Sequence, residues 1–338
     1  MAIVVTGASG FIGGAIARAL ATREEPVYAL CRRDPQIPGV NFQEWDIRTE
    51  APAPVRSLAK NVTAVFHCAG IHDVTASYED LYDVRVTGTR NVFDAFEGAR
   101  IVHLSSTTVY SPTAPHTDLW EEAGPKDPNE YHDAYAKTHV LAEQLVTRIR
   151  PDAAILRPAA VYGPGETMFM PSLRCFARKG VLTLPGGGRQ KMTLTAIDNL
   201  VRVALACLDV PSASGPFNIG DPIPYRLKDA VATHFARMGY DPVVIEAIAK
   251  DKALVAAKVG LKVKSFFKRG DSARLFLVEY LQFDRTYNLT RQQRVLGIST
   301  TQYLTPSRLQ RPAPGDSAAE AVADRDPRLH RLTRAHAV

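Results

Sequence analysis

The chain has 338 residues, is 46% apolar and carries a formal net charge of +6; that is room for one large domain, or a large one and a small one. No apolar run approaches the ~20 residues needed to cross a bilayer. The four cysteines, Cys31, Cys68, Cys175 and Cys207, form no Cys-x-x-Cys pair, which argues against a metal site or a disulfide framework and for buried thiols. The modest positive excess suits anionic small ligands, with no nucleic-acid partner expected. The first residues show neither a basic start nor an apolar leader, so a cytoplasmic location is expected.

Short, mostly apolar runs at 2–6, 26–31, 41–45, 62–67, 100–105 and 153–157 read as buried parallel strands. Amphipathic runs at 11–22, 79–97 and 130–149 read as helices. This alternation predicts an α/β fold with a doubly wound parallel sheet of the Rossmann type. Residues 1–165 are expected to form a dinucleotide-binding domain, with 185–220, including a helix over 197–209, returning to it. After about residue 160 the pattern loosens around Gly163-Pro164-Gly165 and Pro185-Gly186-Gly187-Gly188. Residues 166–184 and 221–304 are expected to form a smaller C-terminal substrate-binding cap. The Ala-, Arg- and Pro-rich tail, 305–338, is expected to be disordered.

Thr6-Gly7-Ala8-Ser9-Gly10-Phe11-Ile12-Gly13 lies between the first strand and the first helix. Gly7 permits a tight turn, Gly10 lets the backbone approach a pyrophosphate, and Gly13 lets the helix pack closely on the sheet. Free N–H groups of the helix start, from Ser9 to Ile12, then face the phosphates. At the end of the second strand an NAD-selective site places an acid for the ribose 2′-OH. This chain has Cys31-Arg32-Arg33. Arg32 and Arg33 can pair with a 2′-phosphate, so NADP is favoured and NAD stays possible.

The spacing of Gly7, Gly10 and Gly13 resembles the extended branch of the short-chain dehydrogenase/reductase superfamily, the NAD-dependent epimerase/dehydratase type. Further matches follow in order: Asp46-Ile47, Val65 to Gly70, Ser105-Ser106-Thr107-Thr108-Val109-Tyr110, Arg157 to Gly165, Ile197-Asp198-Asn199-Leu200 and Leu296-Gly297. The later segments look most like the 3β-hydroxysteroid dehydrogenase-like subfamily. The resemblance implies that Asp46 and Ile47 meet the adenine, that Ala69 and Gly70 pass beneath the cofactor, and that Pro158 and Val161 flank the nicotinamide. It also implies a Ser, a Tyr and a Lys, the last two four residues apart on one helix face.

Tyr135 is the candidate catalytic tyrosine, aligned by the later Glu143, and His139 then stands where the family has lysine. Lys137 is no substitute, because i+2 points to nearly the opposite side of a helix. A register pairing Tyr131 with Lys137 has the wrong spacing. With a reference pKa of about 6.5, His139 is mostly neutral at pH 7 and can bond the cofactor ribose. Ser106, three residues before Val109, is the candidate hydroxyl, and Ser105 faces the other way. Arg85 stands where the family usually has Asn. Its default reading is a solvated helix residue; the alternative is a replacement positive charge near Tyr135.

Met168-Phe169-Met170 and Phe266, Phe267, Phe276, Tyr280 and Phe283 could line an apolar pocket or simply pack a core. Lys250 to Arg269 has seven basic residues and one acid, a solvated face by default, or a dock for an acidic carrier or weak peripheral membrane contact. The resulting expectation is an NAD(P)-dependent oxidoreductase acting on a secondary alcohol or ketone of an apolar, possibly carrier-linked small molecule. Alternatives are a redox-neutral epimerase, dehydratase, isomerase or cyclase with an atypical Tyr-His site, and a cofactor-sensing binding protein. A homodimer is compatible with this reading.

Overall fold

In the computed structural model, the described residues are 1–111, 113–178, 181–237, 244–264 and 270–304. Phe266, Phe267 and the 305–338 tail lie outside them. Seven parallel strands form the main sheet: β1 (Ala2–Thr6), β2 (Val27–Cys31), β3 (Val40–Glu44), β4 (Val62–His67), β5 (Arg100–Leu104), β6 (Ala154–Pro158) and β7 (Gly215–Ile219). Their order is β7-β6-β5-β4-β1-β2-β3, the doubly wound arrangement, with β1 beside the strand-order switch.

Two differences from the sequence reading are instructive. β7 goes unpredicted because Gly215-Pro216-Phe217-Asn218-Ile219 has a Pro, a Gly and an Asn, yet its backbone pairs in register with Ala154–Pro158. Conversely β3 is not a buried strand. It sits at the sheet edge, only one neighbour covers it, and Phe42 is 38% exposed.

The helices occupy both faces. α1 (Phe11–Leu20) and α4 (Ile197–Asp209) pack on one side, where Ile16, Leu20, Leu200 and Val203 join Ile3, Val5 and Phe217. α2 and α3 (Ala134–Ile149) pack on the other, where Phe93, Phe96 and Val146 join Val4, Val65, Ile101 and Ile155. α2 comprises Tyr78–Tyr82, a π-helical turn at Asp83–Thr87 and Gly88–Ala95. The sequence reading expected one uninterrupted helix at 79–97. A π turn inserts a residue into the ladder, and such turns often occur at functional sites. α3 starts at 134 rather than 130, because the Asp133 carboxylate accepts from the Ala136 N–H and caps it there.

Smaller sheets follow. Val181–Pro185 pairs with Ala177–Arg178 and Val244–Ile248, and Lys191–Met192 joins Tyr225–Arg226 and Arg285–Tyr287. α5 (Gly270–Tyr280) lies among them. They share a separate apolar cluster that includes Met170, Leu184, Leu194, Leu227, Val278 and Leu281. No helix of the described residues is long and apolar enough to cross a membrane.

Candidate active site

The β1–α1 turn requires two of its three glycines for folding alone. Gly7 has φ +69°, and a Cβ there would lie 2.6 Å from the Ala69 Cα. A Cβ on Gly13 would lie 2.4 Å from the Gly7 carbonyl oxygen. Gly10 differs: its φ is −90°, open to any residue, and its Cβ would meet only the Gly7 oxygen at 3.2 Å. It begins α1 with no side-chain cap, leaving the first-turn N–H groups directed outward. Gly13→Ala should therefore destabilise by about 1–3 kcal/mol through backbone overpacking. Gly10→Ala should cost less stability and instead weaken dinucleotide binding by about tenfold, 1.4 kcal/mol. Melting curves and a binding titration on both variants check this; equal melting losses with unchanged binding contradict it.

Ser9, Gly10, Phe11 and Ile12 open onto a cavity of about 450 Å³. Ala69, Gly70, Ser106, Tyr135, His139, Pro158 and Val161 also line it. One space thus brings together the glycine turn and all three candidate catalytic residues. Met168, Phe169, Phe276, Leu277 and Tyr280 form its apolar side. Met170 is fully buried in the apolar cluster instead, and neither it nor the half-buried Phe283 reaches the cavity.

Other predicted cofactor residues lie apart from the cavity. Gly7 and Gly13 shape the turn from behind. Arg32 and Arg33 are exposed in the loop after β2, where the Cys31 thiol donates to the Arg33 carbonyl. Asp46 is ion-paired with Arg48 at 2.5 Å. Ile47 is buried against the position of Gly88, in the apolar core rather than on the cavity.

Tyr135 and His139 share one face of α3, their ring centroids 4.9 Å apart and edge to face. Lys137 points elsewhere, its Nζ 6.0 Å above the ring of Tyr78. Tyr131 is committed to structure, because its hydroxyl donates to the Val109 carbonyl. Ser106 caps the turn Thr107–Val109, its Oγ accepting from Thr108 N–H at 3.2 Å. That bond leaves its hydroxyl hydrogen free to donate. Ser105 turns away, donating to Glu143 at 2.6 Å. Glu143 in turn is ion-paired with Arg157, both side chains 1% exposed.

The solvated reading of Arg85 is wrong. It lies in the π turn of α2, is 4% exposed, and its guanidinium carbon sits 4.1 Å above the Tyr135 ring centroid. Tyr135 is 50 residues distant in sequence, so composition and periodicity gave no sign of this contact. Two further histidines, His72 and His103, line the same cavity.

Residues 3–220 match the model of the NAD dependent epimerase/dehydratase family. The chain belongs to this family. It is 34% identical over 210 residues to a 2-alkyl-3-oxoalkanoate reductase of Stenotrophomonas maltophilia (strain K279a), covering 59% of this chain and 62% of that protein. It is 30% identical over 185 residues to a ceramide reductase of Caulobacter vibrioides (strain NA1000 / CB15N), covering 53% and 52%. The matches span less than two thirds of either relative. The fold is similar to that of a UDP-glucuronic acid 4-epimerase from Bacillus cereus crystallised with NAD, with TM-score 0.68, 18% identity and coverage of 90% of this chain and 95% of that one.

The electrostatics of this family member follow from burial. Desolvation holds His139 well below the ordinary imidazole pKa, with Arg85 adding in the same direction, so it is neutral at pH 7. Burial raises Tyr135, and Arg85 opposes that rise. His103 is pushed down to about 4 by burial. His67 is also held low, chiefly by burial. It accepts at Nδ1 from Thr6 Oγ1 and donates at Nε2 to Thr89 Oγ1, which itself donates to the Arg85 carbonyl.

Histidines buried neutral bind fewer protons folded than unfolded. Their stabilisation is complete above the unfolded pKa of about 6.5 and is lost as pH falls toward the folded value. His103 alone should lose about 2 kcal/mol by pH 5, with His67 and His139 adding to it. The melting temperature should accordingly drop between pH 7.5 and pH 5. A flat profile across that window contradicts the assignment of these rings as neutral.

Proposed function

We propose that the chain is an NAD(P)-dependent oxidoreductase that interconverts a secondary alcohol and a ketone on an apolar molecule. The observation that carries this reading is the single cavity joining the glycine turn, the Ser106–Tyr135–His139 group and an apolar wall of Met168, Phe169, Phe276 and Leu277. The reductase relatives, named for alkyl-oxoalkanoate and ceramide, support an apolar substrate.

The residues present fit a dinucleotide. Gly10 is needed less for folding than Gly7 and Gly13, the helix start is uncapped, and the buried Nε2 of His139 has no hydrogen-bond partner. Ser9 to Ile12 would hold the pyrophosphate, Ala69, Gly70, Pro158 and Val161 would border the cofactor, and His139 would bond its ribose. When bound, a nicotinamide dinucleotide supplies or takes up hydride at the carbinol carbon.

The protein's own groups handle the oxygen. Ser106 donates a hydrogen bond to the carbonyl oxygen and polarises it. Tyr135 gives that oxygen its phenolic proton as the π pair moves onto it, and takes the proton back in the oxidative direction. The apolar wall excludes water and receives the hydrocarbon part of the substrate.

Arg32 and Arg33, with no acid at the end of β2, support NADP. Arg32→Ala/Arg33→Ala should weaken NADPH binding by about ten- to a hundredfold, as expected for lost charge-assisted bonds, and NADH binding much less. Equal losses for both cofactors contradict the assignment. The function is tested by NADPH consumption with a panel of long-chain ketones and β-keto acids, run beside UDP-sugars assayed for epimerisation. Turnover of an apolar ketone is expected. Epimerisation of a UDP-sugar without net NADPH use overturns the reading in favour of redox-neutral chemistry.

A further inference from the structure

Arg85 is a buried cation with no carboxylate in direct contact; the nearest opposite charge acting on it is the half-buried Asp133 at the start of α3. No carboxylate of the described residues lies within ion-pair distance of it. Its Nη1 donates to Thr138 Oγ1 at 2.9 Å and to the Tyr135 carbonyl at 3.3 Å, and its Nη2 donates to the Ile71 carbonyl. Its Nε has no partner. Neutral acceptors satisfy hydrogen bonds but not charge, and a desolvated guanidinium without a directly paired carboxylate is costly.

The backbone holds it firmly all the same. The π turn carries it, and Thr89, itself bonded to His67, accepts nothing from Arg85 but donates to its carbonyl. The guanidinium is thereby set against the ring of Tyr135, 4.1 Å from its centroid, within range for a cation to act on the ring's charge.

We propose that Arg85 is the positioning cation of the proton-transfer step: clamped against Tyr135, it supplies the counter-charge for the phenolate formed when Tyr135 gives up its proton. It thereby takes over the charge that the neutral His139 cannot provide. This rests on the reading of Tyr135 as the proton donor. The Tyr135 O–H bond breaks and an O–H bond to the substrate oxygen forms; the electron pair left on the phenolate oxygen faces Arg85, and the reverse step restores the phenol.

The groups around Tyr135 leave Arg85 alone in this role among the described residues. Asp133, at the start of the same helix, opposes ionisation of Tyr135, and Tyr135 in turn opposes ionisation of Tyr280 from α5. His139 shares the helix face, and His103 and His72 act on it at one remove. All three imidazoles are held below their ordinary values, so none supplies positive charge at pH 7.

The test uses protein labelled with [¹³Cζ]tyrosine, with the Tyr135 resonance assigned by its loss in Tyr135→Phe. Arg85→Gln should move the Tyr135 titration midpoint up by about 1–2 pH units, and Arg85→Lys much less. Arg85→Asn/His139→Lys should bring the midpoint back toward wild type, because a lysine on that helix face restores a cation. Thr138→Asp, which puts a carboxylate beside Nη1, should raise the midpoint with Arg85 intact; it serves if Arg85→Gln fails to fold. In alcohol oxidation, which needs the phenolate, the ascending limb of the pH profile should shift up by the same amount, lowering the rate at pH 7 about 10–100-fold.

A midpoint unmoved in Arg85→Gln overturns the proposal, as does one unmoved in Thr138→Asp where Arg85→Gln does not fold. So does an effect confined to KM for carboxylated substrates, which would make Arg85 a substrate-anion site. The resonance needs neither cofactor nor substrate. Absent turnover with shifted midpoints defeats only the oxidoreductase reading, and intact turnover with unmoved midpoints defeats only this one.

Discussion

Tyr135→Phe should lower kcat for ketone reduction by about 10²–10⁴-fold, the range for loss of a positioned general acid. The substitution removes one oxygen and little else. The ring is 6% exposed, packs edge-on to His139 and Phe276, and lies under Arg85, and phenylalanine keeps all three contacts. The folded state should survive and NADPH affinity should fall far less than kcat. A kcat within threefold of wild type would remove Tyr135 from the chemistry. Tyr131 could not then replace it, since its hydroxyl is held by Val109 away from the cavity.

The second large effect concerns support rather than chemistry. Glu143→Gln should destabilise the protein by about 3–5 kcal/mol, because it leaves the Arg157 guanidinium buried without its anion. Arg157 also donates to the Tyr110 hydroxyl at 2.9 Å, the Glu121 carbonyl at 2.7 Å and the Gly124 carbonyl at 2.9 Å. It therefore joins β6 to the loop beyond β5. Glu143 fixes Ser105, next to Ser106, so the loss should also lower kcat. Replacing both partners, Glu143→Leu/Arg157→Met, should recover only part of the stability. The pair is gone, but the Glu121 and Gly124 carbonyls lose their donor. Chemical denaturation checks this; a cost below about 1 kcal/mol for Glu143→Gln contradicts it, since that is the worth of an exposed pair.

What was legible in the sequence was what local stereochemistry or helical spacing dictates. Gly7 and Gly13 are demanded by backbone contacts within one turn and its neighbour, and their spacing announced them. Tyr135 and His139 are four apart and so share a face, whatever the rest of the chain does. For Arg85 the alternative reading, a positive charge near Tyr135, came from the resemblance; its burial was not legible in composition or spacing, because it depends on α2 meeting α3 fifty residues later and on a π turn that no periodicity signals. β7 was missed because its pairing comes from β6 and not from its own composition. The aromatic stretch gave the right kind of residue but no direction: Phe276 and Tyr280 face the cavity while Phe283 does not. Met168 and Phe169 likewise line the wall, and the short helix they begin turns Met170 into the core.

The β1–α1 turn and the Tyr135 face are proposed to serve one dinucleotide. The most direct measurement is a fluorescence titration of NADPH and NADH into the purified chain and its Gly10→Ala variant. Saturable binding of NADPH, in preference to NADH, is expected, with a loss of about tenfold or more in Gly10→Ala and the melting curve little changed. No binding of either cofactor to the unaltered chain would contradict the proposal.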